Sequence, residues 1–230
     1  RGNDGHGHGS YYAFVMPQHV ASSRGAVGGG GGTLPKTSAH DSFGEDGLLY
    51  LLGTNFGAQP WANPAHGRFV RVTRSTHGGG ASCVGEAEAF TGRTMAHSHT
   101  READGVWYAV ELTEHVAQPT HYALMCYGPG GGHFIMNWDL QGSVDGVTWT
   151  TLRAHRNDRS IHQEGKIETW PLEPQGDTWW RHFRVIGTGP EVKGEKYVCL
   201  SGFELWGTFK PRDEAEVAPL VSSDARAESP

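Results

Sequence analysis

The chain has 230 residues, a formal net charge of −6 at pH 7 and 37% hydrophobic residues. This length is sufficient for one domain of ordinary size plus extensions. The negative charge argues against a nucleic-acid partner, because no broad basic face would neutralise a phosphate backbone. No stretch has the apolar length of a membrane span or the pattern of a signal peptide, so we expect no membrane partner.

Residues 1–42 are predicted to be a flexible, glycine-rich N-terminal extension. One apolar patch interrupts the glycine tracts and contains Tyr11, Tyr12, Phe14 and Val15. The patch has too little apolar area to fold alone. It predicts a short strand that adds to a sheet edge or fills a groove on a protein partner, although the same pattern also fits a segment that covers its own domain.

Residues 43–209 carry strand patterns at regular intervals, and no long segment has a helical period. Many antiparallel strands without long helices predict an all-β fold, an antiparallel jelly-roll β-sandwich. The best short helical candidate is 85–90. The predicted strands are 48–52, 69–73, 106–112, 120–127, 138–143, 150–155, 167–172, 182–187 and 198–208.

Local patterns within this region make two further predictions. Asp145-Gly146 lies between two strand patterns, which favours a tight type I′ hairpin turn because both central residues of that turn need positive φ. Large apolar residues on the inward positions of the strands should be buried. They are Trp138, Trp149, Phe183, Val185, Phe203 and Leu205.

Beyond the strand patterns, residues 210–230 are polar and acidic, and they predict a C-terminal tail.

The cysteines Cys83, Cys126 and Cys199 are odd in number and widely spaced, which fits neither a disulfide framework nor a zinc site. We therefore expect free thiols in a reducing compartment, and hence a cytoplasmic or other intracellular location.

Taken together, several motifs resemble the discoidin-like (coagulation factor type C) family, which has a galactose-binding-like jelly roll. The resemblance is strongest to the variant inside a HECT-type E3 ubiquitin ligase with ankyrin repeats, which also occurs beside BTB domains. In relatives, basic side chains stand where this chain has Met125, Cys126 and Met136, which argues against an inherited anionic ligand. The matching stretches are 47–55, 61–65, 106–112, 137–138, 142–149, 169–172, 180–184 and 200–207.

Catalytic and metal-binding patterns give no positive prediction. His97 and His99 would share one face of a strand, but the sequence fixes no third ligand for a metal. The chain has no nucleophile elbow, phosphate loop or zinc-protease motif, and its acids are typical of turns and strand surfaces. We therefore predict no catalytic residue, no cofactor, no metal and no enzymatic activity.

The adjacent pair Trp179-Trp180 completes the candidate binding set. Neighbouring strand residues face opposite sides, so one of the two rings should lie at the surface, and Trp179 is our candidate. The sequence favours a non-catalytic binding module for protein–protein docking within a larger intracellular chain or assembly, such as a ubiquitin ligase or a cytoskeletal or ciliary complex. The alternative, less favoured, is a carbohydrate-binding lectin-like domain with a glycan ligand.

Overall fold

The computed structural model describes residues 12–13, 43–79, 82–126 and 132–212. Among these residues, no helix is long and apolar enough to cross a lipid bilayer. The elements in chain order are β1 (Tyr12–Ala13), α1 (Leu48–Gly53), β2 (Val70–Arg74), a 3₁₀ helix (Ala87–Thr91), β3 (Trp107–Leu112), β4 (His115–Cys126), β5 (Trp138–Ser143), β6 (Thr150–His155), β7 (Ile167–Pro171), β8 (His182–Gly187) and β9 (Leu200–Pro211).

The described strands form two antiparallel sheets. One has the strand order β1-β9-β4-β7, and the other has the order β2-β3-β8-β5-β6. Tyr122 and Leu205 from the first sheet lie in the same buried cluster as Val110 and Phe183 from the second. The predicted all-β antiparallel jelly-roll sandwich is therefore confirmed. The predicted extensions fall mostly outside the described residues, and β9 continues to Pro211, two residues beyond the predicted domain boundary.

Five of the six predicted core residues are buried, and Trp149 is the exception. Trp149 is half-buried and lies in the connection that precedes β6, not on the inward face of a strand. The guanidinium carbon of Arg184 lies 4.2 Å from the centroid of its ring. A cation over an indole face screens the ring from water without placing it in the core.

The prediction of a strand at 48–52 is wrong, because these residues form α1. A short apolar run fits a buried strand or a buried helix equally well. The helix is favoured here because Glu204 of β9 accepts hydrogen bonds from the N–H groups of Leu49 at 2.7 Å and Tyr50 at 3.1 Å. A Cβ on Gly47 would lie 2.2 Å from the carboxyl carbon of Glu204, so this approach requires glycine.

The predicted hairpin at Asp145-Gly146 is present, because β5 pairs with β6, but the tight type I′ turn is wrong, because residues 144–149 connect the two strands. Asp145 Oδ1 accepts hydrogen bonds from the N–H groups of Val147 at 2.8 Å and Thr148 at 2.7 Å. These bonds lower the pKa of Asp145 to about 2. The Asp145 carboxylate therefore stabilises a longer loop by accepting hydrogen bonds from backbone N–H groups. This is a second common role of aspartate in turns.

The three cysteines are free thiols in the described structure. Cys83 is half-buried, whereas Cys126 and Cys199 are buried. Burial raises the pKa of the Cys126 thiol to about 12 and raises that of Cys199 as well. The two buried sulfurs therefore act as small apolar groups of the core.

Replacement of Glu204 should test how strongly β9 depends on its buried carboxylate. Glu204→Ala leaves Arg93 and the helix N–H groups without their acceptor, so we expect the free energy of unfolding to fall by about 3–5 kcal/mol at neutral pH. Chemical denaturation measures this change. Glu173→Ala, at an exposed carboxylate, is the control and should change little. Glu204→Gln replaces the alanine variant if that variant does not fold.

The pH dependence of the same site has a defined sign. Burial is the largest influence and raises the pKa of Glu204 from 4.5 to about 7, against the lowering effect of Arg93 and three backbone N–H groups. The folded domain then holds this proton more tightly than the unfolded chain, so the contribution of Glu204 to stability decreases from pH 4.5 to about 7. The difference in the free energy of unfolding between the wild type and Glu204→Gln measures this contribution. If that difference instead grows between pH 4.5 and about 7, the ion pair with Arg93 dominates.

Candidate functional site

The predicted N-terminal docking patch is described only at its centre. Tyr11, Phe14 and Val15 lie outside the described residues. Tyr12 and Ala13 form β1, which pairs with the edge of β9: Tyr12 is opposite Phe209, and Ala13 is opposite Thr208. This part of the patch therefore adds a strand to a sheet edge of its own domain.

The two adjacent tryptophans differ in burial, although they lie in the connection between β7 and β8 and not in a regular strand. Trp180 is 6% exposed and belongs to the core cluster. Trp179 is half-buried, and the Nζ of Lys210 lies 4.7 Å from its ring centroid. Trp179 therefore offers a surface aromatic ring with a cation over it, a combination that suits a recognition surface.

Phe56 is a surface aromatic residue that the sequence reasoning missed. Its side chain is 40% exposed, and its ring lies 6.0 Å from Phe209 with an interplanar angle of 12°. Asn55 and Phe56 have φ values of 48° and 57°, a region that residues other than glycine rarely occupy. Such strain is concentrated at functional sites. The local signal was weak, because it consists of one aromatic residue between asparagine and glycine.

A cleft of about 190 Å³ lies beside the tryptophan pair. The indole Nε1 of Trp180 is buried and has no hydrogen-bond partner among the described residues. The cleft therefore combines an indole with hydroxyl and amide groups. Its lining includes Gln118, Thr120, Gln175, Thr178, Trp180 and Thr208.

Three consecutive residues of β9 bring these features together. Thr208 lines the cleft, Phe209 stacks with Phe56, and Lys210 covers Trp179. The first two are also the pairing partners of β1. Because strand side chains alternate, Thr208 and Lys210 lie on one face of β9, whereas the buried Phe209, with Phe56 stacked on it, lies on the other. We call the residues on these two faces, Phe56, Trp179, Thr208 and Lys210, the β9-end surface. Of the sequence-predicted residues, it includes Trp179 and adjoins Tyr12 of β1.

A Tyr–His–Asp chain in the core has the residue types of a nucleophile, base and orienting acid. Tyr122 Oη lies 2.6 Å from His155 Nε2, and His155 Nδ1 lies 2.6 Å from Asp158 Oδ2. Tyr122 and His155 are buried, and Trp138 stacks on His155 at 4.0 Å. Burial lowers the pKa of His155 and raises that of Tyr122. We assign this network to core stability, because its reactive atoms are shielded from any substrate.

The histidine pair considered from the sequence is close in space but has another role. The ring centroids of His97 and His99 are 5.9 Å apart. His99 Nδ1 lies 2.7 Å from the backbone oxygen of Thr100, and the His99 ring contacts Tyr197 edge-on. Partial burial lowers the pKa of His99. His99 therefore anchors the segment that leads towards β3.

Sequence relatives of the chain are much longer proteins. The chain is 37% identical over 170 residues to E3 ubiquitin-protein ligase Ufd4 of Drosophila melanogaster, and 32% identical over 169 residues to E3 ubiquitin-protein ligase hecd-1 of Caenorhabditis elegans. Each match covers 72% of this chain and 6% of the relative. A BTB/POZ domain-containing protein of Arabidopsis thaliana is 29% identical over 176 residues, which is 21% of its length. No family model matches the chain.

The resemblance that the sequence predicts, to the discoidin-like domain inside a HECT-type E3 ubiquitin ligase, is confirmed.

Solved structures similar to this chain include two carbohydrate-bound modules. CpGH89CBM32-5 from Clostridium perfringens, in complex with GalNAc-β-1,3-galactose, has a TM-score of 0.47 and 16% identity, over 61% of this chain and 96% of that one. The CBM32 of AlyQ, in complex with 4,5-unsaturated mannuronic acid, has a TM-score of 0.44 and 14% identity, over 59% of this chain and 92% of that one.

Proposed function

We propose that this discoidin-like domain is a non-catalytic module that docks a protein partner within a larger intracellular chain or assembly, such as a ubiquitin ligase. The observation that carries the proposal lies at residues 208–210 of β9: Lys210 covers an indole on one face of the strand, Phe209 stacks with an exposed aromatic ring on the other, and β1 pairs along the edge. The sequence relatives support the context, because two are E3 ubiquitin-protein ligases of which this chain spans 6%.

The β9-end surface has the chemistry that protein partners use. Aromatic side chains at the centre of an interface supply large contact areas at low entropic cost. Phe56 and Trp179 offer two such anchors. The edge of β9 adds backbone donors and acceptors, and within the described residues β1 pairs there through Tyr12 and Ala13. A partner strand that extends or replaces β1 would gain main-chain hydrogen bonds while its side chains contact the aromatic anchors.

Substitution of the two aromatic anchors should remove partner binding and leave the fold intact. Phe56→Asn deletes the ring and retains a residue that tolerates positive φ, and Trp179→Ala deletes the other anchor. Loss of an interface hot spot costs about 2 kcal/mol or more, so we expect the affinity for a co-purified partner to weaken roughly 30-fold, as measured by calorimetry. Val147→Ser, at a residue 81% exposed in the β5–β6 connection, is the matched control. Equal affinity in all variants would contradict the proposed surface.

Deletion of residues 1–40 tests the N-terminal patch. If the patch docks the partner, the truncated chain keeps its melting temperature and loses the partner in a pull-down, because the described part of β1 contributes a two-residue pairing to the fold. Loss of thermal stability with retention of the partner would show that the patch belongs to the sandwich, and it would end the docking role of Tyr12 and its neighbours.

A glycan ligand is the second candidate, and the cleft beside Trp180 is the observation that favours it. Polar side chains around an indole suit the hydroxyl groups and apolar faces of a sugar. If the cleft binds a glycan, a glycan array should show saturable binding that Gln175→Ala weakens and Val147→Ser leaves unchanged. An array without signal above background would eliminate this candidate.

A further inference from the structure

Two segments that the proposed function does not use meet through backbone hydrogen bonds. The N–H of Val192, between β8 and β9, donates to the carbonyl of Phe134, before β5, at 3.1 Å. This bond places His133 beside the turn that begins at Glu191. In that turn, the N–H of Gly194 donates to the Glu191 carbonyl at 3.0 Å, and the N–H of Glu191 donates to the Glu195 carbonyl at 2.7 Å. His133, Glu191 and Glu195 are therefore held side by side.

The turn itself depends on glycine. Gly194 has a φ of 94°, which residues with a Cβ rarely adopt. The ring of His133 is packed edge-on against Tyr197, with centroids 5.9 Å apart and an interplanar angle of 81°. Backbone geometry and packing thus hold the His133 ring and the turn that carries both glutamates in place before any ligand binds, and such preorganisation is what a metal site requires.

Donor atoms of the three side chains converge on one point. His133 Nδ1 lies 3.4 Å from Glu191 Oε2 and 3.1 Å from Glu195 Oε2. All three atoms lie within 4.8 Å of one another. Zinc binds histidine nitrogen and carboxylate oxygen at about 2.1 Å in tetrahedral geometry, so two ligands of one zinc ion lie about 3.4 Å apart. The observed separations fit a shared ion of this size.

The buried carboxylate of Glu191 provides an independent observation. Glu191 is 2% exposed. Its Oε1 accepts hydrogen bonds from the N–H groups of Lys193 at 2.8 Å and Glu195 at 3.1 Å. Its Oε2 and His133 Nδ1, although close, are both buried and without a hydrogen-bond partner among the described residues. A buried carboxylate oxygen destabilises the folded state unless a cation or a hydrogen-bond donor satisfies it. Glu191 Oε2 is therefore available to bind a cation.

We propose that His133, Glu191 and Glu195 bind a divalent metal ion of the zinc class through one imidazole nitrogen and two carboxylate oxygens. Imidazole favours zinc-like ions over calcium and magnesium, which prefer sites made of oxygen ligands. The side chain of Glu195 is 44% exposed and that of His133 is 24% exposed, so the remaining coordination position faces solvent and accepts water. The rival explanation is a protonated His133 that forms an ion pair with both glutamates.

Titration of the full chain with zinc chloride, followed by calorimetry, distinguishes these explanations. We expect one zinc ion per chain at this site, a rise in melting temperature, and at least a tenfold loss of affinity in His133→Gln and in Glu195→Gln. Because the chain has 14 histidines, His66→Gln and Glu173→Gln at exposed positions serve as matched controls and should bind like the wild type. Cobalt substitution should give the visible absorption of a tetrahedral ion in the wild type and lose it in Glu195→Gln.

Two results would overturn the site. One is the absence of zinc binding to the wild-type chain, which would leave His133 as an ion-pair partner. The other is zinc binding that Glu195→Gln and His133→Gln reduce no more than the controls do, which would assign the metal to other histidines. Both variants change partly exposed side chains, so their melting temperatures without metal provide the check that the fold is retained.

Discussion

A single buried carboxylate on β9 joins three parts of the domain. Glu204 is 1% exposed, and it accepts hydrogen bonds from the N–H groups of Leu49, Tyr50 and Leu205 at 2.7–3.1 Å. It also pairs with Arg93 at 3.2 Å. An isolated charge in this position would be strongly unfavourable, and the four donors around the carboxylate offset its removal from water only in part, so that the pKa of Glu204 is still raised. The attachment of α1 to the sheet therefore depends on an electrostatic contact as well as on apolar packing.

The same strand connects this internal anchor to the surface. The turn after α1 carries Phe56, whose ring stacks with Phe209 near the end of β9. Opposite β9, strand β4 has a register shift between Pro119 and His121, where it pairs with Gly207. Gly207 has a φ of 149°, and a Cβ there would lie 2.3 Å from the carbonyl oxygen of Gln118. This irregularity changes the direction of β4 at Gln118 and Thr120, which line the cleft. Bulges next to binding sites commonly reorient side chains in this way.

Local sequence patterns predicted the strands better than the elements between them. The bounds of β5, β6 and β8 match the predicted ranges, because alternation over six residues is a local property. Residues 48–53 form a helix for a reason that lies 155 positions away, at Glu204. No window of neighbouring residues contains that information. The loop at Asp145 shows a milder failure, since the turn residue was identified correctly but its hydrogen bonds select a longer connection.

The candidate sites follow the same division between local and distant information. The sequence predicted one surface ring in the pair Trp179-Trp180, but the cation over Trp179 comes from Lys210 of the distant strand β9. His133 and Glu191 are joined only by the pairing of two loops, which sequence spacing does not reveal. Both sites use side chains from loops and strand ends, whereas Glu204 and the Tyr122 network lie within the core. Changes in the loops can therefore alter binding while the buried interactions maintain the sandwich, which is how one fold supports different ligands.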